Sequence, residues 1–265
     1  MEKSSNKVIR IAIHQPGYHR YCGYFYKMYK SDLFISLDTA QYVAREWQNR
    51  QIFYSNRVSK WLSVPVDKGR EPIKDKKIVN PSILRDHWEY IKSIYRKSPY
   101  FERYSGSLAS IYLDRKWEYL NDLCDALTLL AKDILGIKTK YVRDSQNNYV
   151  DRGLKKADAL IDAIRRAVNI ENYDKVIYLP RNYPIPKDFY LNLKFEGSNK
   201  KEIEKFKDAG IGIQTYNFQH PSYKQFQNSE GSGFVPNLSI YDLIFNCEQD
   251  PLEVLKSGGD NEYRN

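Results

Sequence analysis

The chain has 265 residues, of which 42% are hydrophobic, so it can bury a core of one large domain or two modest ones and is not a disordered polymer. Its formal net charge is +9, and the first hundred residues hold 19 basic against 9 acidic side chains, which predicts an anion-binding surface in that part. Three widely spaced cysteines and the lack of a long apolar run exclude a disulfide framework and a membrane-spanning helix, and favour a cytoplasmic protein.

Apolar alternation predicts a buried strand over residues 8–13, which ends just before a Pro16-Gly17 turn. A short helix over 21–29 and a second strand over 33–37 follow. Strand, helix and strand within such a short stretch are typical of a βαβ unit, which favours a parallel sheet.

The rest of the chain continues this pattern around one insertion. Extended segments at 51–54, 61–66 and 76–79 indicate a small antiparallel β insertion over about 50–80. Later strands are predicted at 141–142, 175–179 and 211–216, and helices at 85–96, 100–112, 116–135, 154–167, 184–193, 202–209 and 238–245. The prediction is a single α/β domain over 1–256, with an open, mostly parallel sheet flanked by helices, and a flexible tail over 257–265.

Polar residues at the end of the first strand form the first candidate site: His14, Gln15 and Tyr18, followed by His19 and Arg20. Open α/β sheets bind ligands outside the carboxyl ends of their strands. His14 and Asp38 end neighbouring or near-neighbouring strands in this prediction, and a histidine with a carboxylate partner is a common arrangement for proton removal. The alternative is that His14 only bonds its own turn and Asp38 only caps the next segment of the chain.

A second candidate site comes directly after Asp38. Arginine can grip a phosphate or carboxylate with two hydrogen bonds, a tryptophan offers a flat face for a base or sugar, and amides add further donors and acceptors. A solvated polar loop is the alternative for this set, which comprises Gln41, Arg45, Trp47, Asn49 and Arg50.

A third group of candidate ligand-binding residues lies late in the chain: His220, Tyr223, Gln225, Asp242 and Asn246. Ser239 with Asp242 also has the pattern of a helix N-terminal cap, which alone would account for both residues. Because Ser239 lacks a G-x-S-x-G context, it is not interpreted as a nucleophile.

Several familiar motifs are missing from the sequence. It has no G-x-x-x-x-G-K-[ST] loop, no G-x-G-x-x-G after the first strand, and no H-x-x-x-H or C-x-x-C pair, so neither a resident cofactor nor a metal site is predicted. No DNA- or RNA-binding motif appears, so nucleic acid is not an expected partner, with the exception of an aminoacyl-tRNA as donor.

The sequence resembles the WbqC-like family over about residues 8–247. The resemblance rests on sequence blocks that occur in family order. Four are N-terminal: His14-Gln15-Pro16-Gly17-Tyr18, Gly23-Tyr24-Phe25, Leu37-Asp38-Thr39-Ala40-Gln41-Tyr42 and Trp47-Gln48-Asn49-Arg50. Two are central, Trp61-Leu62-Ser63-Val64-Pro65-Val66 and Tyr95-Arg96-Lys97-Ser98-Pro99-Tyr100-Phe101, and the C-terminal part comprises His220-Pro221-Ser222-Tyr223-Lys224-Gln225 and Phe234-Val235-Pro236-Asn237-Leu238-Ser239-Ile240-Tyr241-Asp242-Leu243-Ile244-Phe245-Asn246. One departure is Tyr178-Leu179-Pro180-Arg181, where family members often carry a Tyr-Leu-Ser-Gly-like segment.

The resemblance implies a role in bacterial O-antigen or surface-polysaccharide biosynthesis. It implies transfer of an acyl or aminoacyl group, such as glycyl, to the amine of a nucleotide-linked amino sugar, with an activated acyl or aminoacyl donor as second substrate. In that reaction His14 with Asp38 would take the amine proton, and the arginines would bind the diphosphate.

Two other functions fit the same residues. One is an ATP-dependent amide ligase or nucleotidyl-transfer enzyme, although the usual phosphate-binding motifs are absent. The other is a non-enzymatic module that binds an anionic ligand or an aminoacyl-tRNA through a basic, Tyr-rich face.

Overall fold

The computed structural model describes residues 7–151, 153–154, 156–180, 200–228 and 233–259. Its strands are β1 (Val8–His14), β2 (Leu33–Ser36), β3 (Arg50–Ser55), β4 (Val58–Ser63), β5 (Lys140–Arg143), β6 (Lys175–Leu179) and β7 (Ile211–Ile213). Its helices are α1 (Cys22–Tyr29), α2 (Ile83–Tyr95), α3 (Phe101–Leu113), α4 (Leu120–Ile134), α5 (Asp144–Asn147), α6 (Lys156–Ala167), α7 (Lys200–Asp208), α8 (Ile240–Asn246) and α9 (Pro251–Ser257).

The chain packs as two compact units, each built from several segments. The sheet unit comprises Met1–Gln15, Lys27–Thr39 and Lys138–Asn217. The helical unit comprises Pro16–Tyr26, Ala40–Ile137 and Phe218–Asn265. Such units occur within one domain as well as between two, so the single domain over 1–256 stays a prediction.

The sheet unit contains five parallel strands in the order β5-β2-β1-β6-β7. The central strands are mostly apolar, with Ile11, Ala12, Phe34, Ile35 and Val176 all buried, as expected where helices cover a parallel sheet. Numbered along the chain within this sheet, the order is 3-2-1-4-5, which is the strand order of the Rossmann-type sheet. The predicted α/β class, with a mostly parallel sheet, is confirmed.

The helical unit holds the predicted antiparallel insertion, in which β3 pairs with β4 from Arg50↔Ser63 to Ser55↔Val58. The third extended segment predicted at 76–79 is wrong as a strand, since it makes only isolated bridges. Ion pairs, rather than strand pairing, fix the position of this segment. The fully buried Lys76 pairs with Asp67 at 3.3 Å and with Glu71 at 2.9 Å.

Helix α2 of this unit buries one stripe of its surface. On α2 the buried residues are Leu84, His87, Trp88, Ile91 and Tyr95, which follow the three- and four-residue spacing of a helical face. The aromatic members of this face pack on other helices: Trp88 stacks on Phe101, and Tyr95 contacts Phe245.

Three predicted elements differ from the structure or lie outside the described residues. The last strand ends at Ile213 rather than at 216, and the helix predicted at 184–193 lies outside the described residues. Helix α9 is an addition, and the predicted tail begins at its last residue, Ser257. Next to it, Gly258 accepts a hydrogen bond from the Gln219 amide at 2.6 Å, and residues 260–265 are outside the described part.

Candidate functional site

The sheet unit has a topological switch point at the carboxyl ends of β1 and β6. The chain leaves β1 toward β2 and β5 on one side and later returns to β6 and β7 on the other side. In open α/β sheets, the carboxyl ends of the strands at such a switch point are where ligands bind. His14 ends β1 and Leu179 ends β6.

His14 is the predicted catalytic residue at this point. Its half-buried imidazole makes a hydrogen bond of 2.9 Å between Nδ1 and the carbonyl oxygen of Gln15. A carbonyl oxygen can only accept, so Nδ1 carries the proton in this arrangement and Nε2 carries the lone pair. The backbone of Gln15 thus sets the tautomer that a general base requires.

Asp38 follows the strand adjacent to His14. In the parallel pair β1–β2, His14 is opposite Ser36, and Asp38 lies two residues further on. Its carboxylate is fully buried and accepts two hydrogen bonds from Ser145, from the amide at 2.9 Å and from Oγ at 2.5 Å. Burial raises the pKa of Asp38, and the two Ser145 bonds act against that rise. The predicted neighbourhood of the two strand ends is present.

The end of β6 forms the other side of the switch point. Tyr178 and Leu179 are buried there, and Pro180 is buried directly after them, while Arg181 lies outside the described residues. The Tyr178-Leu179-Pro180-Arg181 departure from the family pattern therefore lies at the edge of the sheet where a ligand is expected. Pro180 has no backbone N–H, so it cannot donate a hydrogen bond to a ligand there.

Lys27 is a residue of this region that sequence reasoning missed. Its side chain is 1% exposed, and Nζ donates to the carbonyl of Ile13 at 2.8 Å, one residue before His14. A lysine on a short amphipathic helix normally indicates a solvated position, so only the neighbouring apolar residues of α1 hinted at its burial.

Tyr18, predicted to bind substrate, belongs to a buried hydrogen-bonded chain in the helical unit. Its hydroxyl contacts His87 Nδ1 and the Tyr112 hydroxyl, both at 2.8 Å. Tyr112 in turn contacts His19, whose other nitrogen lies 2.9 Å from Ser239 Oγ. All five side chains are buried, so this chain joins α2, α3 and the start of α8 inside the core.

The two buried histidines in this series of hydrogen bonds lead us to expect that acid destabilises the helical unit. Burial lowers the pKa of His19 to about 3 and that of His87 to about 4, whereas both titrate near 6.5 when unfolded. The unfolded state then binds protons more tightly, so stability is complete above about pH 6.5 and declines as the pH falls toward the folded pKa values. We expect the free energy of unfolding from urea titrations to drop by several kcal/mol, roughly, between pH 7 and pH 4.

The matched variant for this prediction is His87→Gln, which keeps a polar side chain but removes one titrating group. Its stability should depend less steeply on pH over the same range. The buried Asp242, whose pKa burial raises, contributes a dependence of the opposite sign in both proteins. An unchanged pH dependence in His87→Gln would refute the assignment.

Gly17 allows the turn after β1 to pack closely within the helical unit. A Cβ atom at this position would lie 2.4 Å from the Trp47 carbonyl oxygen and 2.5 Å from the Arg20 guanidinium. We expect Gly17→Ala to lower the free energy of unfolding by about 1–3 kcal/mol or more, because the backbone carbonyl cannot move aside without cost.

Gly106 provides the control for that substitution. It lies in α3 with no atom within 4 Å of an added Cβ. Gly106→Ala should raise stability by roughly 0.5–1 kcal/mol through helix propensity. Equal effects of the two substitutions in a thermal unfolding series would contradict the close-approach explanation.

The second predicted set lies around the start of β3. Gln41 and Arg45 are exposed, and Arg45 has a left-handed backbone with a φ of 65°. The guanidinium of Arg50 lies 4.3 Å from the Trp61 ring centre and donates to the Arg45 carbonyl. Arg50 therefore already supports its own loop, which leaves Arg45 as the more accessible cation of the pair.

Trp47 and Asn49 complete this set. Trp47 packs against Trp61 with 5.3 Å between ring centres, and Trp61 is 39% exposed. Asn49 Nδ2 donates to the Val64 carbonyl at 2.8 Å, while its buried Oδ1 has no hydrogen-bond partner among the described residues. The structure brings Arg45, Trp47, Asn49 and Arg50 together, and it adds Trp61 of β4, which was not among the predicted site residues.

The third predicted set converges on Asp242, which is fully buried on α8. Its carboxylate accepts hydrogen bonds from Tyr95 at 2.9 Å, Tyr223 at 2.7 Å and Gln225 at 2.8 Å, and another from Gln227. Burial raises the pKa of Asp242, and these donors act against that rise.

Asn246 also belongs to this network, since its Nδ2 donates to the Asp242 carbonyl at 2.9 Å. Ser239 accepts from the Tyr241 amide, which confirms the predicted N-terminal cap of α8. Tyr223, Gln225, Asp242 and Asn246 thus lie together, and their polar atoms bind one another. Tyr95 and Gln227 were missed because isolated Tyr and Gln residues carry no pattern in a sequence.

His220 lies at the margin of this set. Its ring contacts Phe234 and Tyr223, and its buried Nε2 has no hydrogen-bond partner among the described residues. Burial lowers the pKa of His220. A cavity of about 210 Å³ borders the same region, with Tyr223, Lys224, Asn246 and Glu248 among its lining residues.

Within the described residues, no group of three His, Cys, Asp or Glu side chains has a metal-binding arrangement. Cys22, Cys124 and Cys247 are buried and form no disulfide. Among the described helices, none has both the length and the apolar composition needed to cross a bilayer.

These observations define the protein as an α/β protein with a Rossmann-type strand order and a polar switch point. The model of the WbqC-like protein family matches residues 15–254, so the chain belongs to this family. It is 25% identical over 250 residues to the uncharacterized protein Rv1507c of Mycobacterium tuberculosis, which covers 93% of this chain and 97% of the relative. No solved structure gives a significant match.

Proposed function

We propose that this protein transfers an acyl or aminoacyl group to the amine of a nucleotide-linked amino sugar in O-antigen or related glycan biosynthesis. One observation carries the proposal: His14 ends the central strand at the switch point, and the buried Asp38 follows the adjacent parallel strand. The strand order supports a nucleotide-bearing substrate, since sheets of this order bind nucleotides at their switch point.

The chemistry needs a proton acceptor close to the attacking amine. The neutral amine attacks the carbonyl carbon of the donor, the C–N bond forms, and the bond to the leaving group breaks. His14 takes the amine proton on Nε2, since Nδ1 is held by the Gln15 carbonyl, and then passes it to the leaving group. The negative charge of Asp38 favours the imidazolium formed in between.

The second predicted set has a separate role in this proposal. Within the helical unit, Arg45 and Arg50 carry positive charge suited to an anion, and Trp47 with Trp61 offers aromatic faces for a base or sugar. Arg45 is the better test of anion binding, because loss of Arg50 would also remove its contact with Trp61.

The test is an assay of amide formation by mass spectrometry. The protein is incubated with nucleotide-linked amino sugars and with thioester or aminoacyl-ester donors, in parallel with and without ATP. Amide product without ATP supports the transferase. Product that requires ATP, with release of AMP or ADP, would show a ligase instead. Ligand binding without any product would favour the non-enzymatic module.

A further inference from the structure

Two buried carboxylates at the carboxyl ends of β2 and β5 are linked crosswise. β2 and β5 are adjacent and parallel, with Ser36 opposite Arg143. Each strand is followed by an aspartate and then a hydroxyl residue: Asp38-Thr39 after β2, and Asp144-Ser145 after β5. Ser145 donates to Asp38, and Thr39 donates to Asp144. We name these four residues the crossed Asp pair.

Every carboxylate oxygen in the crossed Asp pair has a defined donor. Both oxygens of Asp38 are bonded by Ser145, and the second oxygen of Asp144 accepts from the Val150 amide at 2.8 Å. Both carboxylates are fully buried, where an ion is costly without such donors. The Ser145 amide lies in the first turn of α5, whose N–H groups have no acceptor within the helix.

We propose that Ser145 is a positioning residue that holds the Asp38 carboxylate ionised and in place at the carboxyl end of β2, the strand adjacent to the one that His14 ends. This inference rests on the proposed role of His14 and Asp38. Ser145 does not touch the reacting atoms in this account. It acts through Asp38, whose negative charge in turn favours protonation of the His14 imidazole during the reaction.

Charged groups on the neighbouring elements influence whether the Asp38 carboxyl is ionised or protonated. Arg143 at the end of β5 favours the ionised form of Asp38, and Asp144 at the start of α5 disfavours it. On the other side, His14 ends β1. Burial also raises the pKa of Asp38, so the Ser145 bonds are the main local support for its charge. The Oγ bond should therefore decide the pH at which Asp38 becomes protonated.

The first readout needs no enzyme activity. The full chain is labelled with ¹³C at aspartate carboxyl carbons, and the Asp38 resonance is assigned by its absence in Asp38→Asn. In Ser145→Ala, which keeps the backbone amide, the Asp38 titration midpoint should move upward by about one pH unit. Ser145→Thr, which restores a hydroxyl, should return it toward the original value. An unchanged midpoint in Ser145→Ala would overturn the proposal.

The second readout is kinetic. The kcat of Ser145→Ala should approach that of the original protein at alkaline pH and fall up to about tenfold below it at acidic pH. A structural defect alone would lower kcat equally at every pH. A shifted midpoint with a pH-independent kcat ratio would overturn the link from Asp38 to His14.

Two control variants complete the design. Asn147→Ala changes an exposed residue of the same helix and should leave the Asp38 midpoint unchanged. Thr39→Val removes the bond to Asp144 and should reduce thermal stability without an upward move of the Asp38 midpoint. If Thr39→Val raises the Asp38 titration midpoint as much as Ser145→Ala does, the shift reflects a general loss of local structure, and the proposal is overturned. Lack of transferase activity would refute the proposed function, while the titration would still test Ser145.

Discussion

Replacing His14 by alanine is expected to lower kcat for amide formation by about 10²–10⁴-fold, which is the usual contribution of a general base. The affinity for the nucleotide-linked sugar should stay within a few-fold, because the imidazole acts on the amine proton and not on the nucleotide. The measurements are single-turnover product formation by mass spectrometry and nucleotide-sugar binding by calorimetry.

The geometry of His14 provides a specific rescue experiment. The side chain is half-buried at a strand end, and its Nε2 is the proposed proton acceptor. Added imidazole should restore part of the activity of His14→Ala, with a dependence on the neutral imidazole concentration. The exposed Lys138 of the sheet unit provides the control, and Lys138→Ala should retain full activity. Turnover by His14→Ala close to that of the original protein would refute the catalytic assignment.

Replacing Asp242 by alanine is expected to unfold the helical unit. The substitution leaves four side-chain donors without their acceptor, the buried Tyr95, Gln225 and Gln227 and the partly buried Tyr223. Each unsatisfied buried donor costs about 1–3 kcal/mol, and the sum is comparable with the whole stability of an ordinary domain, about 5–15 kcal/mol. We expect the cooperative thermal transition, as monitored by circular dichroism, to be lost.

Tyr95→Phe is a milder variant that tests the same network. It removes one donor and leaves Asp242 with its other hydrogen bonds, so a loss of about 1–2 kcal/mol is expected. The alternative role of Asp242, as a substrate-binding residue, predicts a different result. A folded Asp242→Ala protein with normal thermal stability and weakened ligand binding would show that the carboxylate serves the ligand.

The residues around Asp242 can stabilise the fold or bind a substrate, and the two roles differ in which polar atoms must be open to the adjacent cavity. Tyr223 and Asn246 line the cavity of about 210 Å³, yet their polar atoms already bond inside the network. A ligand there would meet Lys224 and Glu248 more readily, because both side chains are exposed. The network therefore supports the cavity wall, and the charged residues around it decide what it can bind.

Periodicity predicted the sheet well because burial imposes a simple pattern on each strand. Residues 8–13, 33–37 and 175–179 are short apolar runs between polar or turn residues, and each forms a parallel strand close to its predicted bounds. The placement of His14 and Asp38 at strand ends followed from the same pattern. The βαβ spacing was enough to predict that the first two strands are parallel.

Side-chain partners were far less predictable, since they join residues that are distant along the chain. Ser145 is 107 residues from Asp38, and Tyr95 is 147 residues from Asp242. Nothing in the local pattern marks a serine or a tyrosine as the donor to a buried carboxylate. The burial of Lys27 and Lys76 was equally hidden, because a lysine normally indicates solvent.

The amino-acid sequence by itself determined the α/β class, the apolar strands, the position of His14 and Asp38 at strand ends, and the family. Only the tertiary structure decided the strand order that makes β1 and β6 the switch point, the tautomer of His14, the crossed Asp pair and the network around Asp242. The physical reason is that local periodicity reports which side of an element is buried. Hydrogen bonds between buried polar groups depend on which elements meet, and the chain settles that only when it packs.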